Sequence, residues 1–158
     1  MQRQRTRDTA PELAVRRLLH RSGLRYRVDT APLRGLRRRA DVVFRPARVA
    51  VFIDGCFWHG CPEHASRTTK THPGYWAEKI GRNRARDEDT DAVLGVAGWK
   101  VLRFWEHEDP ASIAAAVTQA VHARRPRPPN ASDPRAKLGE LRRAPSSAAV
   151  ATETDSRL

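Results

Sequence analysis

Apolar residues along this chain fall into short clusters between charged stretches, and their spacing sets the elements. "TAPE" (Thr9 to Glu12) has the form of a capping box with proline in the first turn. Leu13, Ala14, Val15, Leu18 and Leu19 follow on one side, with Arg16, Arg17 and Arg21 elsewhere, so an amphipathic helix is predicted that stops at Gly23. Leu24, Tyr26 and Val28 then alternate with Arg25 and Arg27 as a strand does. "ADVVF" (Ala40 to Phe44) and "VAVFI" (Val49 to Ile53) are β-rich runs joined by a turn around Pro46, which predicts an antiparallel hairpin. From Tyr75 to Ala97 the pattern predicts a long, charged helix with Trp76, Ile80, Val93, Leu94 and Val96 inward and Gly98 as its stop. "WKVLRFW" (Trp99 to Trp105) reads as a strand, and Asp109 and Pro110 open a last helix that runs to about Arg124. This order predicts an α/β or α+β fold, a mixed β-sheet flanked by helices.

A chain of 158 residues is long enough for one core. Residues 9–124 are the expected domain, 1–8 a basic arm, and 125–158 a disordered tail, since Pro, Arg, Ala and Ser replace large apolar residues there. Thirty Lys and Arg against eighteen Asp and Glu give a net charge of +12, which favours a polyanionic partner such as nucleic acid. No purely apolar run is longer than the five residues of Val49 to Ile53, so neither a membrane span nor a signal peptide is expected and a cytoplasmic, nucleoid-associated location is. In that reducing compartment Cys56 and Cys61, the two cysteines, point to metal or catalysis before a disulfide.

The chemistry concentrates in "VAVFIDGCFWHGCPEH" (residues 49–64), where a buried strand empties into soft ligands, a carboxylate and aromatics. Asp41 opens one arm of the hairpin and Asp54 follows the other, so their carboxylates can converge and hold Mg²⁺ for phosphodiester cleavage. Each Asp alone also fits a turn or cap. His59 is a candidate acid/base, although its place between two cysteines equally suits a zinc ligand. Cys56, Cys61 and His64 offer three donors of a tetrahedral Zn²⁺ site, and His107, just past the last strand, is the best distant fourth. Such a zinc would brace the loop and take no part in hydrolysis. Phe57 and Trp58, with Trp76, can wedge between base steps, whereas Trp99 reads as core. Arg37, Arg38 and Arg39 of the basic loop "RGLRRR" can clamp phosphates without reading bases.

Taken in order, "TRDTAPE", "ADVVF", "VFIDGCFWHGC", "YWAEKIGRN" and "GWKVLRFWE" resemble the very-short-patch-repair (Vsr) DNA mismatch endonucleases, a branch of the PD-(D/E)xK nuclease superfamily, over about residues 5–122. The resemblance implies a restriction-endonuclease-like fold with a zinc-braced loop, and a Mg²⁺-dependent enzyme that nicks one strand beside the thymine of a T:G mismatch. It implies Asp41 as the central metal ligand, the carbonyl of Ile53 as a second, His59 as the catalytic histidine and Glu12 as a supporting carboxylate. It further implies zinc on Cys56, Cys61, His64 and His107, and intercalation by Phe57, Trp58 and Trp76. Double-stranded mismatched DNA is the implied substrate, with other mismatch-repair proteins as candidate partners, and one active site with a single nick is compatible with a monomer. Asp54 stands where the best-known member has histidine, and the hairpin opens with Ala-Asp where the superfamily has Pro-Asp. A related restriction or defence nuclease and a noncatalytic zinc-stabilised DNA-binding module are the alternatives.

Overall fold

A computed structural model describes residues 8–64 and 72–125. The expected arm over 1–8 and tail over 125–158 lie outside these residues except for Asp8 and Arg125. The elements are α1 (Ala10–Arg21), β1 (Arg27–Thr30), β2 (Ala40–Phe44), β3 (Val49–Asp54), α2 (Pro73–Val96), β4 (Lys100–Trp105) and α3 (Pro110–Arg124). The strands form one sheet in the order β1-β2-β3-β4, with β1-β2 and β2-β3 antiparallel and β3-β4 parallel. The expected mixed sheet flanked by helices is therefore present.

Sheet position explains the strand sequences. β3 is central and its Val49 to Ile53 are all buried, as a continuous apolar run requires when both faces are covered. On one face Val15 and Leu19 of α1 and Ile113, Val117 and Val121 of α3 pack on Val42, Phe44, Val49, Val51 and Ile53. On the other, Leu94 of α2 meets Val43, Ala50 and Phe52, with Trp99 packed against them as the sequence suggests. Both expected glycine stops hold. Gly23 (φ +75°) and Gly98 (φ +78°) follow α1 and α2 in the left-handed region, and the next N–H in each case bonds five residues back, Leu24 to Leu19 and Trp99 to Leu94. Asp109 caps α3, accepting from Ser112 N and Oγ at 2.9 Å each.

The inward face of α2 corrects the hydrophobic reading. Val96 is 93% exposed and Val93 39%, while the residues turned inward are Trp76, Ile80, Asn83, Asp87, Thr90 and Leu94. These recur at alternating steps of four and three, so the stripe is helical, but its middle is polar because it faces a site instead of a core. No helix among the described residues is long and apolar enough to cross a membrane.

Candidate active site and cysteine–histidine cluster

Parallel pairing of β3 with β4 decides where the chemistry gathers. Asp54 and Trp105 are register partners, so the loops that leave both strands start side by side at one end of the sheet. Here lies a cleft of about 530 Å³ lined by Glu12, Asp41, Asp54, Trp58, His59 and Asp87, among others. Arg38 and Arg39 also reach its wall.

Asp41 and Asp54 both line this cleft, each held by different partners. The β2-β3 ladder pairs Val42 with Val51, and one step beyond it the Asp41 carboxylate accepts the Ile53 N–H at 2.7 Å. Burial raises the Asp41 pKa to about 6, against the pull of that N–H and with further upward pressure from the charges of Glu12 and Asp54. A carboxylate pushed up by burial and neighbouring acids is one that a cation would relieve. Asp54, likewise raised chiefly by burial, gives both oxygens to Arg103 Nη1 at 3.0 Å. Glu12 is buried, and instead of completing the expected box on Thr9 N it accepts from Asp8 N (3.0 Å), Thr9 Oγ1 (2.9 Å) and Arg16 Nη2 (2.7 Å).

His59 Nδ1 lies 2.6 Å from Asp87 Oδ2 and 3.9 Å from Asp54 Oδ1. A carboxylate partner keeps the proton on Nδ1, which leaves Nε2 as the nitrogen free to exchange one. The geometry separates His59 from the zinc-type donors and joins it to acids, as Asp54, His59 and Asp87 bring their donor atoms within 4.8 Å of one another. α2 clamps the loop that carries it: Asn83 Nδ2 donates to Trp58 O (2.8 Å), Arg84 Nε to His59 O (3.1 Å), and Arg84 Nη2 to Gly60 O. Gly60 has φ +66°, and a Cβ there would come 2.7 Å from Ile80 Cγ2. Gly60→Ala is accordingly expected to cost about 1–3 kcal/mol of stability, measured by denaturant unfolding, and to displace His59.

Cys56, Cys61, His64 and His107 bring one donor each within 4.8 Å of one another. The Cys56 Sγ to His107 Nδ1 distance is 3.0 Å, Cys61 Sγ to His64 Nδ1 3.6 Å, and Cys61 Sγ to His107 Nδ1 3.8 Å. Tetrahedral zinc with its usual bond lengths puts donors roughly 3.3–3.8 Å apart, so this set is close to that spacing. Neither cysteine is in a disulfide, and burial beside Cys61 pushes the Cys56 thiol up to about 11. Glu63 approaches His107 Nε2 at 3.3 Å, the position from which a carboxylate orients a ligand imidazole.

Phe57, Trp58 and Trp76 form one cluster, with ring centroids 5.0 Å apart for Phe57–Trp58 and Phe57–Trp76 and 5.7 Å for Trp58–Trp76. Lys79 Nζ sits over it, 5.0 Å from Trp58 and 5.2 Å from Trp76. In the basic loop Arg37 is exposed, Arg38 pairs with Asp89 at 2.6 Å and Arg39 with Asp29 at 2.8 Å. Sequence reasoning missed Asp87, Asn83, Arg84 and Arg103. The signals for Asn83 and Asp87 were polar residues on the inward stripe of α2 and that for Arg103 a charge in the middle of an apolar strand, while the exposed Arg84 carried none.

Comparison with known proteins gives concordant likenesses. Residues 1–65 match the family described as DNA mismatch endonuclease Vsr. The chain is 46% identical over 125 residues to the type II nicking enzyme V.NaeI of Lentzea aerocolonigenes, covering 77% of this chain and 74% of that protein. It is 42% identical over 108 residues to the type II nicking enzyme V.XorIIP of Xanthomonas oryzae pv. oryzae, covering 68% and 77%. To the DNA mismatch endonuclease Vsr of Escherichia coli (strain K12) it is 41% identical over 101 residues, covering 64% and 63%.

Proposed function

The chain belongs to the Vsr family of DNA mismatch endonucleases, and from that premise we propose that it nicks one strand beside the thymine of a T:G mismatch by Mg²⁺-dependent phosphodiester hydrolysis. The protein is a DNA endonuclease. The observation that carries the finer reading is the cleft itself, lined both by the Asp41 carboxyl, whose pKa burial raises, and by a His59–Asp87 pair.

Asp41, the carbonyl of Ile53 and Asp54 are the proposed Mg²⁺ ligands. Their donors are all oxygen, which suits a hard divalent ion. The N–H and C=O of a strand residue point to the same edge, so an Ile53 N–H that reaches Asp41 supports a carbonyl facing the same side. When bound, the ion would supply charge stabilisation at the phosphate and acidify a water. His59 Nε2 exchanges a proton with the attacking water or the departing sugar oxygen, while Asp87 holds the ring in the tautomer that allows it. As the new oxygen–phosphorus bond forms, the bond to the sugar oxygen breaks, and that oxygen leaves with a proton. Glu12 supports the site at one remove, as its oxygens are engaged by Asp8, Thr9 and Arg16.

Zn²⁺ on Cys56, Cys61, His64 and His107 is proposed as a structural ion, with all four positions filled by protein. Phe57, Trp58 and Trp76 are proposed to enter the duplex beside the mismatch, and Arg37, Arg38 and Arg39 to contact phosphates. A single site of this kind is consistent with a monomer acting on one strand. A second reading is a related nuclease of a restriction or defence system with the same catalytic core and a different target; V.NaeI and V.XorIIP are themselves described as type II nicking enzymes.

The test is incubation with Mg²⁺ and duplexes carrying each possible mismatch, with Asp41→Ala as control. Strand-specific nicking confined to the T:G duplex is expected. Equal cutting of perfectly paired DNA would remove the mismatch assignment, and nicking that survives Asp41→Ala would remove the metal assignment.

A further inference from the structure

β4 carries a charge where its neighbours are apolar. The Arg103 side chain is only 20% exposed, and its register partner on β3 is Phe52. Its guanidinium carbon lies 4.3 Å from the Phe52 ring centroid, so the planar group rests against the face of the sheet that α2 covers. From that seat Nη1 reaches both Asp54 oxygens at 3.0 Å, Nε reaches both Asp91 oxygens at 3.0 and 3.1 Å, and Nη2 approaches Asp87 Oδ1 at 3.5 Å. Three carboxylates, one on β3 and two on α2, converge on one guanidinium. Two of them are the acids beside His59, and Asp91 anchors the fork from the other side.

We propose that Arg103 is the positioning residue of this active site: one rigid fork fixes Asp54 and Asp87 together, and through Asp87 it sets where the His59 imidazole stands. Without a cation between them the two carboxylates repel, and among the described residues His59 and Arg103 are the groups that hold the Asp87 carboxylate in place. Lysine would bring the charge but not the fork, so it can satisfy one carboxylate well and not three. The inference rests on the nuclease reading of the site.

Arg103→Ala would leave a slot shaped for guanidinium between Phe52 and the three acids. Nicking is expected to fall about 100-fold in kcat, as misplaced catalytic groups cost, with KM for DNA within about threefold. Millimolar guanidinium is expected to restore at least about tenfold of that loss and to raise the Tm of Arg103→Ala without added Mg²⁺, with neither effect on the wild type. Asp91→Asn is expected to lower kcat several-fold at unchanged KM. An Arg103→Ala enzyme that nicks within about threefold of wild type overturns the proposal. So does one that loses nicking and responds to guanidinium in neither assay, since that is the behaviour of a purely structural residue. If Arg103→Ala does not fold, Arg103→Lys and Asp91→Asn decide: lowered kcat with unchanged KM supports the role, and wild-type rates in both overturn it. A wild-type protein that nicks no duplex would instead refute the nuclease reading, while the guanidinium-dependent Tm of Arg103→Ala still reports on Arg103.

Discussion

Replacing Asp41 by asparagine is expected to lower the nicking rate by about a thousandfold or more, equivalent to about 4 kcal/mol of barrier, while DNA binding persists. The same substitution is expected to stabilise the protein in the absence of added Mg²⁺ at pH 7. The folded-state pKa of Asp41 is raised from 3.8 to about 6 by burial, so the unfolded chain ionises first as the pH climbs. Stability is therefore fully present below pH 3.8 and drains away as the pH rises through about 6. The loss is on the order of 2–3 kcal/mol at neutral pH, and the neutral amide escapes it while its oxygen still accepts the Ile53 N–H. Added Mg²⁺ should raise the Tm of the wild type and not that of Asp41→Asn. Thermal unfolding at pH 4 and pH 7.5, with and without Mg²⁺, measures both effects. A less stable Asp41→Asn at pH 7.5 without the ion would show that Asp41 is not a strained carboxylate awaiting a cation.

Cys61→Ser is expected to have the larger structural effect. Cys61 is fully buried, its N–H bonds Cys56 O at 2.9 Å, and its sulfur is shared between His64 and His107. If the proposed zinc is held by these four donors, removing one should drop the zinc content from about one per chain to nearly none and cost several kcal/mol, a fall of roughly 10 °C or more in Tm. Nicking and mismatch binding should fail together, because the loop also carries Phe57, Trp58 and His59. Zinc binding should release protons, since the Cys56 thiol stands at about 11 without metal and must ionise to ligate. Affinity should consequently weaken as the pH falls. Elemental analysis and calorimetry in buffers of different ionisation enthalpy check these outcomes. A Cys61→Ser protein that keeps its zinc would exclude this donor set.

Local patterning made most elements legible, including both glycine stops, the Asp109 cap and the hairpin, but the alternation of Leu24, Tyr26 and Val28 placed the first strand too early, since β1 spans Arg27–Thr30. Residues 40–44 and 49–53 could be read as strands because β-branched runs of that length have few other uses, and the turn between them fixed their direction. Within 49–64 the donors that cluster as Cys56, Cys61 and His64 were adjacent enough to be seen as a set. The long helix was harder, since hydrophobicity singled out Val93 and Val96 while the buried stripe ran through Asn83, Asp87 and Thr90.

The sequence by itself determined most of the helix and strand segments and the crowding of metal-type donors and aromatics after β3, because these depend on neighbours within a few positions, and an anionic partner followed from the summed charge of +12. Only the tertiary structure decided that His107 joins the cysteines, that His59 faces Asp87, and that Arg103 gathers Asp54, Asp87 and Asp91. The physical reason is the parallel pairing of β3 with β4, which sets residues some fifty positions apart side by side and lets α2 close over them. Such long-range register is fixed by the packing of both sheet faces, and no local spacing encodes it.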